Sequence, residues 1–454
     1  MAGCRALWCA LLVGACGVAL AACGSRSALE VSRGAPVTGG GGSATTGGVA
    51  GAGASGGVGG VGGAGASGGV AGAPCNGPSL WAPLVTVNVD DEHEDVGPAL
   101  VTASDDGELV GVALRRAQWT GPEPLIFMRH AGFRPWKEWP EGGAIDVPNE
   151  SFANSKLKGP LYLAESPGPE MAVMAPSEIG TEIALHLNPL ATGVSPGAPL
   201  SGAPVFLANN GSSWLAGTQG VEAELSITWA EQTQQSIVYT SESLGACAAS
   251  GNLSAAAGFG DGFLVAAVNA KENAPGTCEH PGDVSPGTRL DVSLIHPEGP
   301  PDTFLTLEWP TPYNLVRVAP HPDGAWIVFQ AFSGDDQRLW AMRPEAPNGS
   351  VLGPIVVSDW HVAPFKVAIA ALGRSLVVAW LRSDDLEPPG VELRVIDEHG
   401  AETASLFLPE LAGFAGPEGM VASEAHGSVV IGLQSSMPAR VHLARVDCLG
   451  PKAP

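Results

Sequence analysis

Two kinds of side chain in this sequence recur where they can do chemistry: carboxylates crowded into short acidic runs, and cysteines. The runs are Asp90-Asp91-Glu92-His93-Glu94-Asp95, a stretch from Lys271 to Thr288 carrying Glu272, Glu279, His280 and Asp283, and the pairs Asp335-Asp336 and Asp384-Asp385. Hard carboxylate oxygens suit Ca²⁺, and a concentration of negative charge draws cationic partners. None of the runs has the ordered ligand spacing of a calcium loop, so the same residues also read as solvated acidic turns. His93 among carboxylates and His280 beside Glu279 are the types needed for acid–base work if folding brings them together. The ten histidines are otherwise dispersed, without His-Glu-x-x-His or paired Cys-x-x-Cys, the patterns that hold zinc. The sequence thus assigns no catalytic residue and no cofactor other than calcium.

The cysteines divide into two groups. Cys4, Cys9, Cys16 and Cys23 lie at the N-terminus, where Arg5 is followed by an apolar run from Ala6 to Ala22. That is the pattern of a secretory signal peptide. It ends in Leu20-Ala21-Ala22-Cys23, which resembles the lipobox of bacterial lipoproteins. The resemblance implies removal of residues 1–22, acylation of the Cys23 thiol and a membrane anchor; the alternative is an ordinary signal peptide cut near Ala22. Gly24, in place of an aspartate, implies sorting to the outer membrane, on the periplasmic side or at the cell surface. Residues 23–74 follow, and from about Pro36 they are nearly all Gly, Ala, Ser, Thr and Val. Such a composition cannot build a core; as a tether its roughly 37 residues span about 30–35 Å r.m.s.. Gly57-Val58-Gly59-Gly60-Val61-Gly62 fits the dinucleotide fingerprint, but it follows no strand and opens no helix, so it is an accident of composition.

What would position the acidic runs is a repeat. Asp106-Gly107, Asp261-Gly262 and Asp323-Gly324 each precede an apolar, β-prone run, and Asn210-Gly211, Leu372-Gly373 and His426-Gly427 do so more weakly. Lys158-Gly159 is the poorest copy. Asp-Gly supplies positive φ for two-residue hairpin turns, so each copy predicts a hairpin entering a buried strand. One residue per copy, Val110, Tyr162, Leu215, Val265, Ile327, Val377 and Val430, gives separations of 52, 53, 50, 62, 50 and 53. Seven copies near fifty residues predict an all-β fold over residues 75–454, a seven-bladed β-propeller. Six or eight blades, or a pair of β-sandwiches, are the alternatives. The segment His321-Pro322-Asp323-Gly324-Ala325-Trp326-Ile327-Val328-Phe329 resembles the repeats of TolB-like and WD40-like propellers, which implies the architecture and no particular activity.

The ends fit a ring. Arg440 to Val446 reads as the third strand of the last blade, and Leu80 to Val89 as an orphan strand able to complete it. Cys75 and Cys448 then flank the closure as a disulfide, and Cys247 and Cys278 border one blade as a second. In such a ring the links between blades, and those from second to third strand, emerge at one end. Asp91, Glu92, His93, Glu94, Asp95, Glu279, His280, Asp335, Asp336, Asp384 and Asp385 are therefore expected to share a rim. Trp214, Trp326 and Trp380 recur in the apolar runs, where packing between blades accounts for them better than carbohydrate stacking. Tyr162 and Tyr239 also fall in strand-like runs.

A formal net charge of −24 excludes a binder of nucleic-acid phosphates or a polybasic surface protein. The expected function is a monomeric, lipid-anchored binding or scaffold module facing an exposed protein, glycan or cation. A propeller hydrolase or lyase using loop carboxylates near the central opening is the alternative from another class.

Overall fold

The structure is a computed structural model. It describes residues 31–32, 77–80, 85–88, 99–102, 109–115, 126–132, 144–147, 162–166, 168–177, 180–187, 199–200, 203–219, 225–230, 235–239, 253–269, 288–333, 336–346, 350–358, 362–382, 388–412, 420–425, 427–436 and 439–449. Three short strands come first: β1 (Val31–Ser32), β2 (Ser79–Leu80) and β3 (Val85–Asn88). Six sheets of four antiparallel strands follow. The first is β4 (Ala99–Thr102), β5 (Leu109–Arg115), β6 (Ile126–Gly132) and β7 (Ala144–Val147). The second is β8 (Tyr162–Ser166), β9 (Gly168–Ser177), β10 (Gly180–Leu187) and β11 (Pro199–Leu200), and the third β12 (Ala203–Asn209), β13 (Trp214–Gln219), β14 (Leu225–Ala230) and β15 (Gln235–Tyr239). The fourth comprises β16 (Ser254–Phe259), β17 (Gly262–Asn269), β18 (Arg289–Ile295) and β19 (Asp302–Glu308). The fifth holds β20 (Tyr313–His321), β21 (Gly324–Ser333), β22 (Asp336–Glu345) and β23 (Ser350–Val356). In the sixth are β24 (Val362–Leu372), β25 (Ser375–Arg382), β26 (Val391–Ile396) and β27 (Glu402–Leu408), followed by a single helical turn, Pro409–Leu411.

The last sheet has three strands from the end of the chain, β28 (Met420–Ala425), β29 (Ser428–Ser436) and β30 (Ala439–Asp447). Its fourth strand comes from the beginning: β3 pairs with β30 in the register Val85↔Leu443 to Asn88↔Arg440, and β2 extends that edge with Ser79↔Asp447. Of the expected strand from Leu80 to Val89, the described parts are Leu80 in β2 and all of β3. β1, which lies before the small-residue stretch that begins at about Pro36, adds outside β3.

The innermost strands touch in a closed circuit: β4 against β8, β8 against β12, then β16, β20, β24, β28 and back to β4. Sheets arranged radially around such a circuit are a β-propeller, with seven sheets among the described residues. A pair of stacked sheets would have no such circuit.

The apolar runs are continuous because both faces of second strands such as β21 and β25 are covered. Along β21, Ile327, Phe329 and Ala331 pack toward the fourth sheet, while Trp326 and Val328 pack toward the sixth. In β25, Leu376, Val378 and Trp380 face the fifth sheet, and Val377, Ala379 and Leu381 the seventh. Side chains alternate between faces along a strand, so a strand buried twice shows no polar alternation. The outer strands β19 and β23 are mostly exposed. Trp214, Trp326 and Trp380 are all buried, as packing between sheets requires.

Two details of the repeat differ from expectation. Phe259 pairs with Gly262 and His321 with Gly324, so the loops are Gly260-Asp261 and Pro322-Asp323, and the glycine of each Asp-Gly opens the strand. Its role there is space. A Cβ on Gly324 would run into the carbonyl oxygen of Pro344, and one on Gly262 would lie 2.6 Å from that of Ile295. Positive φ falls on Gly260, at +58°, and on Gly324 itself, at +158°, so conformation adds to space at Gly324. Second, Tyr162 belongs to β8, the first strand of its sheet; the hairpin comes later, where Ser166 pairs with Gly168. Lys158-Gly159 is therefore not the equivalent turn.

Candidate functional site

The third strands carry the polar groups that the loops had seemed to monopolise. β18, β22, β26 and β30 each hold an arginine and an acid two positions apart, which places both on one face of the strand. The contacts are Arg289 Nε to Asp291 Oδ1 at 3.0 Å, Arg343 Nη2 to Glu345 Oε1 at 3.3 Å, Arg394 Nη2 to Glu392 Oε1 at 2.9 Å and Arg445 Nε to Asp447 Oδ1 at 2.7 Å. Thr306, on the outer strand, adds a 2.7 Å hydrogen bond to Asp291.

The densest group spans the seam between the fifth and sixth sheets, at the end where first and second strands join. Arg343 is buried there, its guanidinium carbon 5.5 Å from the centre of the Trp326 ring. Arg343 Nη1 donates across the seam to the backbone carbonyl of Glu398 at 2.7 Å, and Nη1 also lies 3.3 Å from His321 Nε2. The Asp323 backbone N–H donates to His321 Nδ1 at 3.1 Å. From the β24–β25 corner, Arg374 Nη1 donates to Asp323 Oδ2 at 2.7 Å and Glu398 Oε2 at 3.1 Å. Trp326 Nε1 returns a bond to the Arg374 carbonyl at 3.3 Å.

The electrostatics follow from these contacts. Burial, reinforced by Arg343, holds the His321 ring below its ordinary pKa. The hydrogen bond from Ser350 Oγ, at 2.6 Å, is the first cause of a lowered Glu345 pKa. Arg374 is raised, chiefly by its bond to Asp323. The carboxylates of Asp323, Glu345 and Glu398 are all matched to guanidinium groups, so this cluster braces two sheets rather than offering an open acid or base. Among the described residues no three His, Cys, Asp or Glu side chains gather as a metal site would need.

The same end is braced elsewhere. Arg445 is buried, and its Nη2 donates to Ser428 Oγ at 3.1 Å while that hydroxyl donates to Asp447 Oδ1 at 2.5 Å. Between the third and fourth sheets, Asn210 Nδ2 donates to the Asp261 carbonyl at 3.0 Å. Its Oδ1 accepts from the backbone N–H groups of Ser212 and Ser213, folding the turn that the Asn-Gly dipeptide marks.

Of the residues singled out in the sequence, Asp91, Glu92, His93, Glu94, Asp95, Glu279, His280, Asp335, Asp384 and Asp385 lie outside the described residues, as do Cys23, Cys75, Cys247 and Cys278. Asp336 opens β22, its backbone paired with Ser333. Antiparallel order puts the described strand ends beside these segments, namely Asn88, Asn269, Ser333 and Arg382, at the end of the ring opposite the braced hairpins. Sequence reasoning missed Arg343, Arg445 and His321; the signal available was the arginine and acid two residues apart, repeated on successive third strands.

No family model matches the chain, and no curated protein matches it. Among solved structures it is similar to AofleA from Arthrobotrys oligospora, at 11% identity and a TM-score of 0.43, over 74% of this chain and 93% of that one. It is also similar to the N-terminal domain of Nup159, at 9% and 0.40, over 82% and 94%, and to KlHsv2 with loop 6CD replaced by a Gly-Ser linker, at 10% and 0.41, over 75% and 89%. The assignment of this chain as a β-propeller stands on its own strand order and closed inner circuit.

Proposed function

We propose that the protein is an exported binding module, a propeller held at a membrane by lipid on Cys23 and presenting its link-bearing end to a cationic ligand. The observation that carries this reading is the asymmetry of the ring. At the hairpin end, Arg343, Arg374, Arg445 and Asn210 are committed to bonds within and between sheets. The strand ends that flank the acidic runs lie at the other end, where Asn269 and Arg289 bound the long β17–β18 connection. A rigid frame with acid-rich connections on one side suits a divalent cation or a basic patch on a partner.

Two disulfides complete the proposal. β2, just after Cys75, pairs with the residues just before Cys448, which favours the Cys75–Cys448 pair. Cys247 and Cys278 are proposed as the second, because their segments flank β16 and β17 of one sheet.

The test is thermal melting of the mature chain with and without millimolar Ca²⁺. Ligand at a hundred times its Kd adds about 2.7 kcal/mol of stability, so a raised midpoint is expected. It should vanish when Asp91, Asp95, Asp335 and Asp384 are all changed to Asn. An unmoved midpoint in Ca²⁺ would remove calcium as the ligand. Cys23→Ser should abolish labelling by a radioactive fatty acid; retained label would refute the anchor.

A further inference from the structure

We propose that His321 is an acid-sensitive latch on the seam between the fifth and sixth sheets: a proton added to its ring frees Arg343 from the Glu398 carbonyl and loosens that seam alone. The reason lies in what faces the two ring nitrogens. Nδ1 receives the Asp323 backbone N–H at 3.1 Å, and Nε2 stands 3.3 Å from Arg343 Nη1, which is also a donor. A neutral imidazole has one lone pair for the two, so either tautomer leaves one contact unmade. An imidazolium has none. It would present N–H groups to two donors, with a guanidinium at hydrogen-bond distance.

The surrounding charges do not rescue it. From its own hairpin His321 faces Asp323, from β22 Arg343, from the β24–β25 corner Arg374 and from the β26–β27 turn Glu398. Asp323 and Glu398 are already bonded to Arg374, and Glu345 to Arg343 and Ser350. The ring is 3% exposed, with its centre 6.1 Å from that of Trp326 in an edge-on contact, so a charged imidazole has no water to turn to without moving. An imidazolium 3.3 Å from Arg343 Nη1 repels that guanidinium, the group that carries the side-chain bond to the Glu398 carbonyl on the next sheet.

The sign follows by linkage. A ring whose folded pKa is depressed contributes stability that is complete above its unfolded value, about 6.5, and is lost as pH falls through the folded value. Between those limits opening of the seam takes up one proton. Its equilibrium constant therefore grows up to about tenfold for each pH unit of acidification.

Amide hydrogen exchange on the full mature chain, corrected for the intrinsic pH dependence of exchange, tests this. In the wild type, residues 318–326 and 394–401 should lose protection with that slope below pH about 6.5, while residues 203–219 of the third sheet stay flat. His321→Gln, which cannot titrate, should remove the slope while keeping every carboxylate. A wild type without pH response, a response shared equally by residues 203–219, or a slope that survives in H321Q would each overturn the latch. If H321Q does not fold, nuclear magnetic resonance titration of the wild-type histidines decides. All ten rings titrating at or above the ordinary value would refute the proposal; one ring well below it, shifting together with the Trp326 indole N–H, would support it.

Discussion

A buried guanidinium is costly to leave without a counter-ion, and Arg445 is the plainest instance. Its side chain is 4% exposed and meets Asp447 at 2.7 Å, with Ser428 bridging the two. Asp447→Ala should therefore cost about 3 kcal/mol in urea unfolding. Arg374→Ala removes the ion pairs to Asp323 and Glu398, all of whose members are well exposed, and the unfolding midpoint should hardly move. Equal effects from the two variants would mean that Asp447 is not the counter-ion it resembles. Ser350→Ala removes the first cause of the lowered Glu345 pKa, so carbon-detected titration should find that carboxyl closer to its ordinary value. Because Glu345 is lowered in the folded chain, its contribution is present above the unfolded value and disappears as pH drops through the folded one. Arg343-Pro344-Glu345 and Arg445-Val446-Asp447 stand in the sequence without disguise. A two-residue spacing becomes meaningful only once both residues are known to sit on a third strand, so the pairs were passed over for the more conspicuous acidic runs.

At the scale of the element, the hairpin glycines separate two physical demands that the dipeptide Asp-Gly had merged. Gly260→Ala meets a positive φ with open space around it and should cost about 1 kcal/mol. Gly324→Ala drives a methyl group into the Pro344 carbonyl of the neighbouring strand, so its unfolding midpoint should fall clearly further. The reverse ranking, measured by the same melts, would show that turn conformation rather than strand approach selects glycine after Asp323. The strands themselves were legible wherever two neighbouring sheets bury both faces, as in Phe263–Val268 and Ala325–Phe329. The second sheet was misjudged for the converse reason. Its turn lies at Ser166–Gly168, without an Asp-Gly or Asn-Gly dipeptide, and a chance Lys158-Gly159 stood nearer the average spacing.

For the whole molecule, the decisive contact is the one the two chain ends make. β2 and β3 cover the outer edge of β30, which would otherwise present unpaired backbone groups to solvent. Deleting residues 1–90 should lower the melting temperature and produce higher-order species on size exclusion as bare β30 edges meet. Deleting residues 1–30 leaves β1, β2 and β3 in the chain and should change neither readout. A stable monomer from the longer deletion would show that the ring does not depend on its borrowed strand. The closure was foreseeable because a three-strand remainder at one end matched an unclaimed strand at the other. The identity of the ligand was not, since carboxylates in connections attract many cations and a backbone frame selects none of them.

That borrowed strand also fixes an order of events during biogenesis. β3 leaves the ribosome well before its docking site on β30, with six sheets synthesised in between. Every newborn copy must hold an incomplete circle until β30 emerges, and a chain stalled before it still lacks its clasp. Maturation is thus gated by synthesis of β30, and products truncated before it carry their defect at the same place.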